Sequence, residues 1–153
     1  MAEYYFLPAD FAALNAQIEG IDRKIREIGQ EMGASCTEGA ETYHDNFAYE
    51  DGERQQYMWS SRLRELVAIR KRARVVEAAA GGQRVAIGCR VTVVDQETDE
   101  EKVLRIGSYM SYREDRVSYA APLARMLLGA VPGEVRQGRI AGKLRQFEVI
   151  EVA

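Results

Sequence analysis

Apolar residues in the first part of the chain fall at Phe11, Leu14, Ile18, Ile21, Ile25, Ile28 and Met32, at intervals that alternate between three and four. That spacing is a heptad seam held for three repeats, and it predicts an amphipathic helix built to pack along another helix. Pro8 and Asp10 stand just ahead of the seam and supply its start, with Asp10 as the N-cap. Gly33 and Gly39 loosen the pattern, so the helix is expected to fray before the acidic stretch that begins at Glu38. A second helix is predicted from about Asn46–Glu50 to about Glu77, with Tyr49, Met58, Trp59, Leu63, Leu66, Ile69, Ala73 and Val76 on its apolar face. Long helices joined by a short connection pack antiparallel, and this one would extend for roughly 45 Å.

Beyond this hairpin the period changes. Ala78 to Gln83 (AAAGGQ) ends the helix with small residues and marks a boundary. The division expected is a helical hairpin over 1–78, a linker at 79–83 and a second domain over 84–153. In that domain Arg84–Val94 reads as a strand with a bulge at Gly88, Asp95–Lys102 as a polar turn, and Val103–Tyr109 as a returning strand. Pro122–Leu128 suits a short helix, with proline in its first turn and Gly129 as its cap. Val135–Ile140 and Leu144–Val152 make a last pair of strands about the turn Ala141-Gly142-Lys143. The fold class is α+β: an antiparallel helical hairpin, then a small twisted antiparallel sheet carrying one helix.

Charge is distributed unevenly over the hairpin. Between Arg26 and Arg54 there is no Lys or Arg, and Glu38 to Glu53 holds six carboxylates: Glu38, Glu41, Asp45, Glu50, Asp51 and Glu53. From Arg54 to Arg74 seven basic residues face one acid, Glu65. Uncompensated carboxylates at a helical turn repel one another, so the stretch reads either as a tip offered to a metal ion or basic partner, or as a solvated loop. The basic run reads either as a solvated helix face or as a patch for RNA or an acidic surface.

Composition narrows the classes. The chain has 153 residues, 46% hydrophobic and 29% charged, with a formal net charge of −3, which argues against an independent nucleic-acid binder. No apolar run approaches the roughly 20 residues that span a bilayer, and MAEYYFLPAD lacks the features of a secretory signal. Cys36 and Cys89, far apart, with the single histidine His44, make no CxxC-type zinc site. A cytoplasmic monomer without membrane association is expected.

Ala121-Pro122-Leu123-Ala124-Arg125-Met126-Leu127-Leu128-Gly129 resembles the SPLARALLG signature of the bacterial Gre transcript-cleavage factors. Val85-Ala86-Ile87-Gly88-Cys89 resembles that family's V-x-I-G-S strand, Pro132-Gly133-Glu134 its G-D turn, and Phe147-Glu148-Val149-Ile150 its final Y-E-I strand. With the long acidic-tipped hairpin, the resemblance to the GreA/GreB family covers essentially the whole chain. It implies an FKBP-like C-terminal domain that docks near the secondary channel of RNA polymerase, with Pro122, Leu123 and Arg125 as docking residues. The coiled coil would then reach the polymerase active site and the nascent RNA 3′ end, and the chain itself would not be an enzyme.

The family carries D-L-S-E-N-A-E-Y at its tip, and the Asp and the following Glu support its cleavage activity. Anchored on Gln55-Gln56, the alignment sets Thr42 at the Asp, Asp45-Asn46 at Glu-Asn and Tyr49 at the Tyr, with Glu41 adjacent to Thr42. The resemblance therefore points to Glu41 and Asp45 as the catalytic, Mg²⁺-holding acids and to Asn46 as a partner contact, the Mg²⁺ being shared with the polymerase. His44 is expected to be structural or solvent-facing, and Phe47 and Tyr49 to buttress the tip against the first helix. The other outcome is a Gre-fold regulator that occupies the channel without stimulating cleavage.

Overall fold

A computed structural model describes residues 2–38, 47–79 and 83–153, with backbone alone at 35–38. The elements run β1 (Tyr4–Phe6), α1 (Pro8–Glu38), α2 (Phe47–Lys71), β2 (Ala73–Val75), β3 (Arg90–Asp95), β4 (Glu101–Gly107), β5 (Arg116–Ser118), α3 (Pro122–Leu127), β6 (Val135–Ile140) and β7 (Lys143–Val152). Two compact units result. Ala12–Arg72 is one, and Met1–Phe11 with Ala73–Ala153 is the other. Residues 1–11 and 73–78 thus group with the sheet rather than with the hairpin expected over 1–78.

In the helical unit the heptad seam is buried at Leu14, Ile18, Ile21 and Ile28, and Leu66 answers it from α2. Side-chain contacts fix an antiparallel register. Arg70 donates to Asn15 Oδ1 at 3.3 Å, Lys24 Nζ lies 4.6 Å from the centre of the Trp59 ring, and Gln56 Nε2 donates to the Ile25 carbonyl at 3.2 Å. Gly52 is buried against Met32, and a Cβ there would stand 2.5 Å from Met32 Cγ. As the α1 residue climbs from 15 to 32 its α2 partner falls from 70 to 52, so the helices stay in step over their described length. Met58, expected on the apolar face, is 54% exposed, because it falls outside the seam that Leu66 occupies. α1 runs on through Gly33 to Glu38, the first residue of the acidic stretch, rather than fraying before it.

In the second unit the sheet order is β5-β4-β3-β7-β6, and β1 and β2 make a separate parallel ribbon pairing Tyr4 with Ala73 and Phe6 with Val75. This ribbon explains why α2 stops at Lys71 rather than Glu77: the backbone of Ala73–Val75 bonds to β1, and Val76 N–H donates to the Phe6 carbonyl at 2.8 Å. Val85–Cys89 is not strand. Gly88 has φ +95° and packs on Ala78, where a Cβ would lie 2.6 Å from Ala78 Cβ, so the chain turns there and ladder pairing starts at Arg90. The core gathers Val91, Val93, Ile106, Leu127, Phe147 and Val149 between the sheet and α3, whose limits match the sequence pattern to within a residue.

Two buried acids lock this unit. Asp10 lies in the first turn of α1, after Pro8, rather than at its N-cap. It accepts from Ser108 Oγ at 2.5 Å, and the same oxygen accepts from Leu7 N–H at 2.8 Å. A serine from after β4 thus stands inside what would be a local capping box, satisfying a helix-end donor that has no intrahelical partner. Asp95, at the end of β3, accepts from Glu97 N–H at 2.9 Å, fixing the β3–β4 turn, and from the Arg145 guanidinium on β7. The Glu97 N–H first, and then Arg145, hold the Asp95 carboxyl below its ordinary value.

Four substitutions test these contacts by chemical or thermal unfolding. Gly20→Ala, at a helical position with no atom closer than 3.9 Å to a new Cβ, is expected to add up to about 1 kcal/mol, whereas Gly52→Val is expected to cost about 1–3 kcal/mol by displacing Met32. Ser108→Ala leaves Leu7 N–H and the Asp10 carboxylate buried without this partner, and about 2–3 kcal/mol should be lost. Asp95 has a depressed folded pKa, so its stabilisation is present above the unfolded value of about 4 and fades as pH falls through the folded value. The urea midpoints of wild type and Asp95→Asn should accordingly differ most near neutrality and converge in acid.

Candidate functional site

The tip residues Glu41, Thr42, His44, Asp45 and Asn46 lie outside the described residues, as does the Gly81-Gly82 pair. What is described is the start of α2 beside the tip. Glu50, Asp51 and Glu53 are exposed there. Asp51 accepts from Gln55 Nε2 at 2.7 Å and pairs with Arg54 at 3.3 Å. Among the described residues no cluster of three or more His, Cys, Asp or Glu side chains is placed to hold a metal. Phe47 is 77% exposed, which overturns the buttressing role expected of it: it opens α2 facing solvent. Tyr49 is half-buried.

The basic run on α2 is largely engaged with its own helical unit. Arg54 pairs with Asp51, Arg62 with Glu65 at 3.1 Å, Arg64 donates to Ser61 at 3.2 Å and Arg70 to Asn15. Exposed i,i+3 pairs of this kind contribute only a few tenths of a kcal/mol. Lys71 and Arg72 remain exposed at its end.

The three C-terminal residues singled out from sequence fall on α3 but do not act alike. Pro at N1 starts the helix, Gly129 at φ +81° follows its end, and Ala124 and Leu127 are buried. Helical spacing then turns Pro122 and Arg125 outward, while Leu123 packs on the core. Pro122 and Arg125 line a groove of about 500 Å³ between α3 and β6, completed by Met126, Gln137, Gly138 and Arg139. Gly138 has a packing reason: a Cβ there would lie 2.8 Å from Met126 Sδ, so glycine lets helix and strand close together. Arg125 and Arg139 have no acidic partner among the described residues; Gly138 faces α3, so the Arg139 side chain projects from the opposite face of β6. The β6 residues were not singled out from sequence. The alternation of Val135–Ile140 shows that 137 and 139 share a face, but not that α3 lies beside them.

A second concavity, of about 460 Å³, is lined by Tyr5, Val76, Val85, Ile87, Tyr119 and Leu128 among others, and is almost wholly apolar. Tyr119 Oη accepts from Tyr5 N–H at 3.1 Å, and burial raises the phenol above its ordinary pKa, so it stays neutral at physiological pH. No helix among the described residues is long and apolar enough to cross a membrane.

Comparison with known proteins bears on both halves. The sequence profile of the family described as "Transcription elongation factor, GreA/GreB, C-term" matches residues 80–153. Transcription elongation factor GreA of Brucella anthropi is 30% identical over 109 residues, 69% of this chain and 69% of its own, and GreA of Brucella canis matches to the same extent. Among solved structures, GreA factor homolog 1 (Gfh1) of Thermus thermophilus covers 99% of each chain at 21% identity and a TM-score of 0.46, a likeness below the level at which it bears on function. The profile match and the GreA relatives, set beside the α3 motif and the hairpin, place this chain in the GreA/GreB family of transcription elongation factors.

Proposed function

We propose that this protein binds RNA polymerase at its secondary channel and stimulates cleavage of backtracked RNA by presenting tip carboxylates to the polymerase active site. The observation that carries this reading is the pair of long antiparallel helices α1 and α2, joined in sequence by a segment holding acids and no Lys or Arg. At about 1.5 Å per residue, the 31 residues of α1 extend roughly 45 Å, enough to carry the tip deep into a partner. Glu41 and Asp45 offer hard oxygen donors, which suit Mg²⁺, and would be the residues that hold it. Bound between the two proteins, the ion would supply Lewis-acid stabilisation of charge at the cleaved phosphodiester. The chain's own part is to position carboxylates and to dock; Pro122 and Arg125 are the docking residues, and Leu123 shapes α3 from beneath. The polymerase retains the chemistry, so the protein is not an enzyme by itself.

One residue favours a second reading. Thr42 stands where the family carries the first of its paired acids, and a tip short of that carboxylate would occupy the channel and slow synthesis without promoting cleavage.

The two readings separate in a stalled, backtracked elongation complex with end-labelled RNA. Wild type is expected to accelerate release of short 3′ fragments in a Mg²⁺-dependent way, and Glu41→Ala and Asp45→Ala each to reduce that acceleration by about 100-fold. Acceleration that survives both changes would remove the metal-holding role from these acids. Binding with slowed nucleotide addition and no cleavage would establish the channel-occupying regulator instead.

A further inference from the structure

The five-stranded sheet ends on β6, and the outer edge of that strand is open. The β6–β7 turn has Ala141 at φ +53° and Gly142 at φ +78°, a type I′ hairpin, which makes the flanking Ile140–Lys143 pair a hydrogen-bonded one. By alternation Val135, Gln137 and Arg139 turn their backbone N–H and C=O groups away from β7. Bonding on β7 agrees: Gln146, opposite Gln137, gives its carbonyl to Gln96 N–H at 3.0 Å, on the side away from β6. Outside the β6–β7 ladder, no backbone bond engages residues 135–140 among the described residues.

An edge of this kind is a template for an added strand, and proteins usually blunt it. Here α3 runs beside it instead, leaving the groove lined by Pro122, Arg125, Met126 and Arg139. Neighbouring cations are neutralised, Arg136 by Glu134 and Lys143 by Glu97 at 3.4 Å, whereas Arg125 and Arg139 are not. We propose that β6 receives an extended acidic peptide segment of a partner protein as a sixth strand, the carboxylates on one face of that strand answered by Arg139. A second copy of this chain suits the edge less, because two-fold pairing of β6 with itself brings both sets of unpaired arginines to one seam. A nucleic acid could answer the arginines but not the row of alternating backbone donors and acceptors. The inference deepens the docking role given above to α3 and rests on it only for where such a segment would be found.

The probe is a blocked peptide of about nine residues alternating Glu and Val, titrated into the isotope-labelled full chain and followed by amide shifts. Saturable shifts confined to β6 and α3 are expected. Methylating alternate peptide nitrogens, and Arg139→Glu in the protein, should each weaken binding by about tenfold or more. Gln137→Pro should do the same while leaving the β6–β7 ladder intact, since its N–H faces outward. No binding, equal binding of the N-methylated peptide, equal binding of a Lys-Val peptide, or self-association through β6 would each overturn the proposal. Polymerase pull-down with the same variants and Arg125→Glu separates the two claims. No peptide pairing by a wild-type chain that binds polymerase, with that binding lost in Arg125→Glu, removes strand addition and keeps the docking face. Peptide pairing in a chain that does not bind polymerase does the reverse.

Discussion

The structure depends on the parallel pairing of β1 with β2. Parallel neighbours cannot be joined by a tight turn and need a crossover. In this chain the crossover is the whole helical hairpin: the chain leaves β1 into α1 and returns from α2 into β2. Both connections between the helical unit and the sheet unit therefore pass through one short ribbon. Three residues per strand are too few to hold by ladder bonds alone, and the ribbon is secured by what surrounds it. Tyr4 stacks on Tyr109 at 4.3 Å, Phe6 is fully buried, and the Leu7–Ser108–Asp10 relay ties the helix start to the end of β4. Aromatic contacts of this kind add about 0.5–1.5 kcal/mol each beyond their burial.

Charge in the molecule sorts by whether it is satisfied. Asp10 and Asp95 are buried, hydrogen-bonded and structural. Most of the α2 cations are paired along their own helical unit. Among the described residues Arg125 and Arg139 have no acidic partner, and in sequence the hairpin turn holds carboxylates and neither Lys nor Arg.

Legibility in the sequence followed how local each signal was. The seam from Phe11 to Met32 announced α1 because a period of 3.5 needs no other part of the chain to be read. Pro122 and Gly129 bracketed α3 for the same reason. The strands β1 and β2 could not be read: three residues carry no period, and the pairing partners lie 69 positions apart. Helix propensity through Glu77 was overruled by that distant pairing, and the strand expected from Arg84 was cut back by the Gly88 turn. Of the candidate site, the motif located Pro122 and Arg125, but Gln137 and Arg139 belong to it only through the tertiary contact of Met126 with Gly138.

The central claim is that the hairpin tip reaches the polymerase active site. A photo-cross-linking residue at Thr42, in a backtracked complex carrying end-labelled RNA, tests it most directly. The account predicts cross-links to the RNA 3′ end that require the intact hairpin and vanish when Gly52→Val disturbs its packing. Cross-links confined to the outer surface of the polymerase, from a protein that is demonstrably bound, would contradict it.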